Sequence, residues 1–193
     1  MMSAIIKKLR DALITLKIRH SGNIIHRSVK FREPQYLSLG ENANIGENSY
    51  LYCWGNYRND RVNQLLSPSL EIGKNFSATR RLTIQCCNHI TIGDDVLIAS
   101  DVFICDYNHG MQPNADSYLF NELLLSEVTI ENGAWIGQGV FILPGAYIGG
   151  HSIVGAGSVV TKKIPPYCLA VGNPARVIKR FDPGTQKWEK YSE

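Results

Sequence analysis

The 193-residue sequence predicts an all-β fold in which short strands wind into a parallel β-helix, with one helix before it and a short extension after it. Two observations indicate the β-helix: an aliphatic residue recurs at every sixth position, and glycine follows several of these residues. Helical spacing of apolar residues indicates the helix. We therefore divide the chain into residues 1–35, helix and linker; 36–164, coil; and 165–193, C-terminal extension.

The N-terminal segment predicts one amphipathic helix. Its apolar residues fall at helical spacing: Ile5, Ile6, Leu9, Ala12, Leu13 and Leu16. We expect this face to cover the end of the main core, as stacked repeats require. A weak contact with an anionic membrane surface is the alternative interpretation. Four charged residues between positions 7 and 11 interrupt the apolar run that a signal peptide needs, so we expect a cytoplasmic protein.

A period of six residues dominates the middle of the chain, and it fits three short strands per turn of a coil. Each aliphatic residue should then stack on the one three repeats later, at the spacing of neighbouring strands. The predicted inward ladders are Ile72, Ile92, Ile130 and Ile148; Ala78, Ile98, Ile136 and Val154; and Ile84, Ile104, Ile142 and Val160.

Two segments interrupt this period, residues 52–69 and 110–127. A long excursion from a repeat is more often functional than accidental, and the second excursion begins directly after His109. Beyond the repeats, Pro165 and Pro166 cannot donate to a strand ladder, and we expect them to end the coil.

The amino-acid composition limits the classes of ligand that the protein is expected to bind. With 20 Lys and Arg against 17 Asp and Glu, the net charge of +3 is too small to favour nucleic acid. The cysteines are odd in number and lack the paired spacing of a zinc or redox site, so we expect buried, reduced thiols in a reducing compartment and no metal. They are Cys53, Cys86, Cys87, Cys105 and Cys168.

Four motifs carry a family resemblance: "DYNH" before the second excursion, "GAWIG" at 133–137, "VGAGSVVTKKIP" from 154 and "AVGNPARVIK" from 170. Together they resemble the left-handed β-helix acetyltransferases, nearest to the maltose and galactoside O-acetyltransferases and to those of colanic acid and O-antigen synthesis. The resemblance covers roughly residues 36–182. It implies a left-handed coil, a homotrimer, acetyl-CoA as co-substrate between adjacent coils, and a carbohydrate acceptor.

The resemblance also implies site residues. His109 takes the general-base position, because an imidazole can deprotonate a sugar hydroxyl near neutral pH and then protonate the leaving thiolate. The backbone amide of Gln138 is implied as the oxyanion donor. Residues implied to bind acetyl-CoA are Trp135, Gly155, Ala156, Thr161, Lys162 and Arg176.

The acceptor side departs from the family. The segment from 73 to 95 places Arg81 and Cys86–Cys87 where the maltose and galactoside enzymes carry an asparagine and acidic residues. We therefore assign Arg81, with Tyr107, to the acceptor. The hypothesis is an anionic acceptor, such as an acidic sugar or a nucleotide- or lipid-diphosphate sugar.

The expected function is acetyl-CoA-dependent O-acetylation of a sugar hydroxyl, in envelope polysaccharide synthesis. Alternatives are N-acetylation of an amino sugar nucleotide, acetylation of a xenobiotic, and a non-catalytic coil. A carbonic-anhydrase-like metal site would need three histidines, but after His109 the next is His151, and position 114 is asparagine.

Overall fold

The computed structural model describes residues 4–19, 21–113 and 116–191, and shows a triangular coil of three parallel faces. The remaining positions of the predicted helix, second excursion and C-terminal extension lie outside the described residues. Before the coil stands α1 (Ala4–Arg19), and two short 3-10 turns are η1 (Pro34–Tyr36) and η2 (Tyr118–Phe120).

Each face is one sheet, in which strands from successive turns pair in parallel. Face A holds β1 (Ile24–Ile25), β4 (Asn44–Ile45), β9 (Ser77–Ala78), β12 (Leu97–Ile98), β17 (Trp135–Ile136), β20 (Ile153–Val154) and β23 (Cys168–Val171). Face B holds β2 (Lys30–Arg32), β5 (Tyr50–Cys53), β10 (Thr83–Cys86), β13 (Phe103–Cys105), β18 (Phe141–Ile142) and β21 (Val159–Val160). Face C holds β3 (Leu37–Leu39), β8 (Ser69–Ile72), β11 (His89–Ile92), β16 (Val128–Ile130), β19 (Tyr147–Ile148) and β22 (Lys163–Ile164).

All three predicted ladders are confirmed by the strand register. On face C, Ile92 pairs with Ile72 on one side and with Ile130 on the other. Faces A and B repeat this arrangement around Ile98 and Ile104. The ladder residues are buried, so stacked aliphatic side chains fill the interior of the coil.

The corners of the coil explain why polar residues and glycine recur at fixed positions. Asn75 and Asp95 stack at one corner with φ of 55° and 58°, and Gly133 continues the stack at 68°. Asn, Asp and Gly are the residues that adopt this left-handed conformation at least cost. At a second corner the same conformation is held by Arg81 and Asp101, with φ of 51° and 65°.

The coil is longer than predicted at both ends. It begins at β1, before residue 36, because Ile25 and Phe31 continue the six-residue period although no glycine marks them. At the other end, Pro165 and Pro166 do not end the coil, since they occupy the corner between β22 and β23 and no ladder bond is needed there. Two antiparallel strands then follow, β24 (Arg176–Asp182) and β25 (Lys187–Lys190).

Helix α1 lies at the N-terminal end of the coil. The side of the helix that contacts the coil is the opposite of the one predicted. Ile14 and Ile18 face the cleft against η1 and β3. The predicted apolar face points outward, with Leu9 and Leu13 exposed. The prediction that this face covers the core is therefore wrong within one chain. Among the described residues, no helix is both long and apolar enough to cross a membrane.

Candidate active site

His109 stands at the edge of a cavity of about 250 Å³. It is the last residue of β14 (Tyr107–His109), which leaves the coil and pairs antiparallel with β15 (Leu123–Leu125). The other lining residues come from the coil, from this hairpin and from the first excursion: Trp54, Asn56, Tyr57, Cys87, Tyr107, Leu119 and Leu123. The cavity is thus walled largely by aromatic and aliphatic side chains.

The two excursions pack on each other. The first forms a hairpin of β6 (Asn56–Arg58) and β7 (Asn63–Leu65). Its Gln64 side chain donates to the Leu123 carbonyl at 3.1 Å and accepts from the Leu123 amide at 2.7 Å. Asn59 Nδ2 donates to the Leu119 carbonyl at 2.7 Å, and Arg61 pairs with Asp116 at 2.6 Å. Both interruptions of the repeat therefore build one wall around His109.

The His109 ring is exposed and lies edge-on to the Tyr57 ring, with centroids 5.4 Å apart and planes at 74°. The Tyr57 hydroxyl donates to the Leu119 carbonyl, which fixes the tyrosine against the second excursion. Directly after the imidazole, the Gly110 amide donates to the Glu122 carbonyl at 2.9 Å. These contacts hold the imidazole at the edge of the cavity while leaving the ring exposed.

Asp106 anchors the hairpin that carries His109. Its side chain is buried, and its carboxylate accepts hydrogen bonds from the backbone amides of Cys87 and Asn88, each at 2.8 Å. Burial raises the pKa of Asp106, and the hydrogen bonds from these two amides partly offset that rise. The Asp106 carbonyl also accepts from the Ser126 amide at 2.8 Å, so this residue ties both strands of the hairpin to the coil.

Two aromatic walls of the cavity have defined polar contacts. The Tyr107 hydroxyl donates to Gln85 Oε1 at 2.6 Å, and burial raises the pKa of Tyr107 to about 12. The structure thus places Tyr107 at the cavity, with its hydroxyl already engaged. The Arg32 guanidinium lies 3.5 Å from the Trp54 ring centroid, and Trp54 Nε1 is buried with no hydrogen-bond partner in the described part of the chain.

The residues predicted to bind acetyl-CoA fall into two places. Trp135 is half-exposed on face A, and Gln138 follows it at the next corner. Gly155 and Ala156 lie beyond β20 near this corner, where Gly155 has no room for a side chain beside Val171. Farther along, Lys162 and Arg176 line a second cavity of about 380 Å³ together with Lys163, while Thr161 lies exposed beside it.

Trp135 is not among the residues that line the cavity of His109 within one protomer. The hairpin of His109 leaves the coil after face B, whereas Trp135 lies on face A. Arg81 is also outside the cavity of His109: its Nη2 donates to Asp101 Oδ2 at 2.7 Å across one turn of the coil. The Arg81 guanidinium holds the pKa of Asp101 below its usual range. Within one protomer Arg81 therefore lies apart from the cavity of His109, and its contact with the acceptor stays a prediction.

Sequence reasoning missed the structural partners of His109. Trp54 and Tyr57 lie in the excursion 52–69, whose break in the repeat was the available signal. Asp106 lies in the "DYNH" motif, but a single acidic residue carries no sign of burial. Its neighbours Cys86 and Cys87 are buried free thiols, as are the other three cysteines. Among the described residues, no group of three His, Cys, Asp or Glu side chains is arranged to hold a metal ion.

Comparison with known proteins agrees with this architecture. Residues 127–162 match the family described as bacterial transferase hexapeptide (six repeats). The chain is 34% identical to the galactoside O-acetyltransferase of Escherichia coli (strain K12), over 91% of this chain and 80% of that protein. It is 32% identical to the putative lipopolysaccharide biosynthesis O-acetyl transferase WbbJ of the same organism, over 96% of this chain and 92% of that protein.

Solved structures show the same fold. A galactoside acetyltransferase in complex with coenzyme A superposes with a TM-score of 0.66 at 32% identity, over 97% of this chain and 88% of that one. AntD, an N-acyltransferase from Bacillus cereus, superposes with a TM-score of 0.70 at 19% identity, over 89% of each chain, and shares the fold. The chain therefore belongs to the hexapeptide-repeat acetyltransferases and is an acetyl-CoA-dependent acyltransferase.

Proposed function

We propose that the protein transfers the acetyl group of acetyl-CoA to a sugar hydroxyl in envelope polysaccharide synthesis, with His109 as general base. One observation supports the proposal above all. In this member of an acetyltransferase family, His109 lies on a hairpin at the edge of a cavity that is lined by aromatic residues and built by both excursions. Its support in the comparisons is the likeness to a galactoside O-acetyltransferase and to WbbJ.

The proposed chemistry uses one imidazole twice. His109 removes the proton of the acceptor hydroxyl as its oxygen attacks the thioester carbonyl. The resulting tetrahedral oxyanion accepts a hydrogen bond from the Gln138 amide, a type of contact worth about 3 kcal/mol. The C–S bond then breaks, the acetyl ester is released, and the imidazolium returns its proton to the thiolate of CoA.

A homotrimer of left-handed coils completes this arrangement. Acetyl-CoA would lie between adjacent coils, with its pantetheine arm beside Trp135, Gly155 and Ala156. The cavity that holds Lys162 and Arg176, with Thr161 beside it, supplies positive charge for the phosphates. Support for assembly comes from the separation of His109 and Trp135 within one protomer, since a neighbouring copy can supply the second half of the site.

The proposed acceptor is a carbohydrate that occupies the cavity of His109. Trp54, Tyr57 and Tyr107 line this cavity and offer aromatic surface for the apolar faces of a sugar. The anionic or nucleotide- or lipid-linked class was inferred from Arg81. Arg81 forms an exposed ion pair with Asp101, and this class of acceptor stays a prediction. We place the reaction in the cytoplasm, where free thiols stay reduced.

The test is release of CoA thiol from acetyl-CoA across a panel of neutral, acidic and nucleotide-linked sugars. We expect His109→Ala to lower kcat by about 100- to 10,000-fold. His89→Ala, at a half-exposed histidine on face C, is the matched control and should keep wild-type activity. Full activity of His109→Ala would overturn the assignment. Products stable to mild alkali would instead identify N-acetylation, since acetyl esters are cleaved under these conditions.

A further inference from the structure

Helix α1 presents an apolar surface to the outside of the molecule. It is held to the coil by its other side, where Lys7 pairs with Glu33 and Arg19 donates to the Val29 carbonyl at 2.7 Å. On the outer side, large apolar residues are between 52% and 71% exposed. They are Ile5, Ile6, Leu9, Leu13 and Leu16, called here the outer stripe.

Positive charge borders the outer stripe on both sides. At about 100° per residue, the stripe occupies an arc of about 100° around the helix axis. By the same projection, Lys8 lies along one border, and Arg10 and Lys17 lie along the other, whereas the Arg19 guanidinium is turned to the coil. The single acidic residue of α1, Asp11, is on the side of the coil and pairs with Arg10 at 2.8 Å.

The apolar arc with basic borders distinguishes between two partners that could cover the outer stripe, a second copy of the chain and a lipid surface. If a second copy packed its own stripe on this one, the basic borders of the two identical helices would meet and repel each other. An anionic lipid surface is complementary to both features at once: acyl chains receive the apolar arc, and lipid headgroups meet the basic borders. Long Lys and Arg side chains can reach such headgroups while the helix backbone lies deeper.

We propose that the outer stripe of α1 docks the protein on an anionic membrane surface, with the helix lying in the plane of the headgroups. The docking is connected to the site of His109. Glu33, which holds Lys7 of α1, uses its other carboxylate oxygen to accept the Gly55 amide at 2.8 Å. Gly55 lies between Trp54 and Asn56, two residues that line the cavity of His109, so a continuous path of polar contacts joins α1 to the cavity wall.

The experiment is co-sedimentation of the full chain with vesicles of equal parts phosphatidylglycerol and phosphatidylcholine, compared with phosphatidylcholine alone. We expect binding only to the anionic vesicles, weakened by salt. Leu9→Glu with Leu13→Glu should reduce binding more than about tenfold. Lys8→Gln or Lys17→Gln should each reduce it about fivefold. Leu65→Glu is the matched control, since Leu65 is 82% exposed on β7 outside the stripe and should leave binding unchanged.

The outcomes separate this proposal from the proposed function. Acetyl transfer to a soluble acceptor should be unchanged in the Leu9 and Leu13 variant, because the stripe does not contact the cavity of His109. Equal binding to both kinds of vesicle, or binding unaffected by the stripe variant, would overturn membrane docking. Membrane docking would also be overturned if the protein did not bind vesicles and the stripe variant had a lower oligomeric mass. That result would identify the outer stripe as an interface between copies of the chain.

Discussion

Replacing Asp106 with alanine should destabilise the hairpin that carries His109. The Asp106 carboxylate is fully buried and is the acceptor for the amides of Cys87 and Asn88, each at 2.8 Å. Alanine leaves both amides buried without an acceptor. An unsatisfied buried donor costs about 1–3 kcal/mol, so two should lower the free energy of unfolding by about 2–6 kcal/mol.

Asparagine at position 106 should have a smaller effect than alanine. Its amide oxygen can still accept one of the two backbone N–H groups, while its NH₂ faces the other. Asparagine also avoids the desolvation that raises the pKa of the buried carboxyl group. The expected order of the free energy of unfolding is therefore wild type, then Asp106→Asn, then Asp106→Ala.

Urea unfolding and steady-state kinetics together measure the effect. Asp60→Ala is the matched control, because Asp60 is exposed in the turn between β6 and β7. Below the unfolding transition, Asp106→Ala should lower kcat, since the hairpin that positions His109 loosens. The KM for acetyl-CoA should stay the same, because Lys162 and Arg176 line a different cavity. A free energy of unfolding for Asp106→Ala within about 1 kcal/mol of wild type would refute the reasoning.

Three further predictions concern pH, the core and the cavity. Because burial raises the pKa of Asp106 in the folded state, the folded protein takes up a proton before the unfolded chain does. The free energy of unfolding of wild type relative to Asp106→Asn should thus rise from neutral pH to about pH 4, and a fall would contradict this. Ile136→Ala should lower the free energy of unfolding in urea by about 2–5 kcal/mol, whereas Leu97→Ala, at a half-exposed position, should lower it little. Equal losses in the two variants would contradict the inward position of Ile136. Tyr57→Ala should raise the KM for the acceptor but not for acetyl-CoA, with exposed Tyr118→Ala as the control; unchanged acceptor kinetics would contradict its place at the site.

The register of the coil could be predicted from the sequence because repetition determines it. Once three hexapeptides make one turn, Ile98 must stack on Ala78 and below Ile136, and these pairs are the ones found. The same logic would have reached Ile25 and Phe31. The signal is weaker there, because Ile25 is followed by His26 and Phe31 by Arg32, with no glycine after either.

The partners of His109 could not be predicted in the same way. The hydrogen bonds between Gln64 and Leu123 join segments that have no repeat and no periodicity, so nothing in the sequence pairs them. An amphipathic pattern likewise states which side of a helix is apolar but not which side meets the coil. In α1 the contact is made by Ile14 and Ile18, supported by the ion pair of Lys7.

The hairpin places His109 in a cavity, which a regular coil cannot do for a side chain on one of its strands. The strands of the coil are two to four residues long, and their side chains point alternately into the core and out to the surface. An outward imidazole on such a strand would lie on a flat sheet surface, without residues around it to form a cavity. Leaving the coil after Cys105 gives His109 a cavity wall, but a departing hairpin loses the ladder bonds of the next turn. Asp106 replaces them, since its carboxylate binds the corner at Cys87 and Asn88 one turn earlier. The buried carboxylate is thus explained by the position of His109: it anchors the hairpin where the repeat stops.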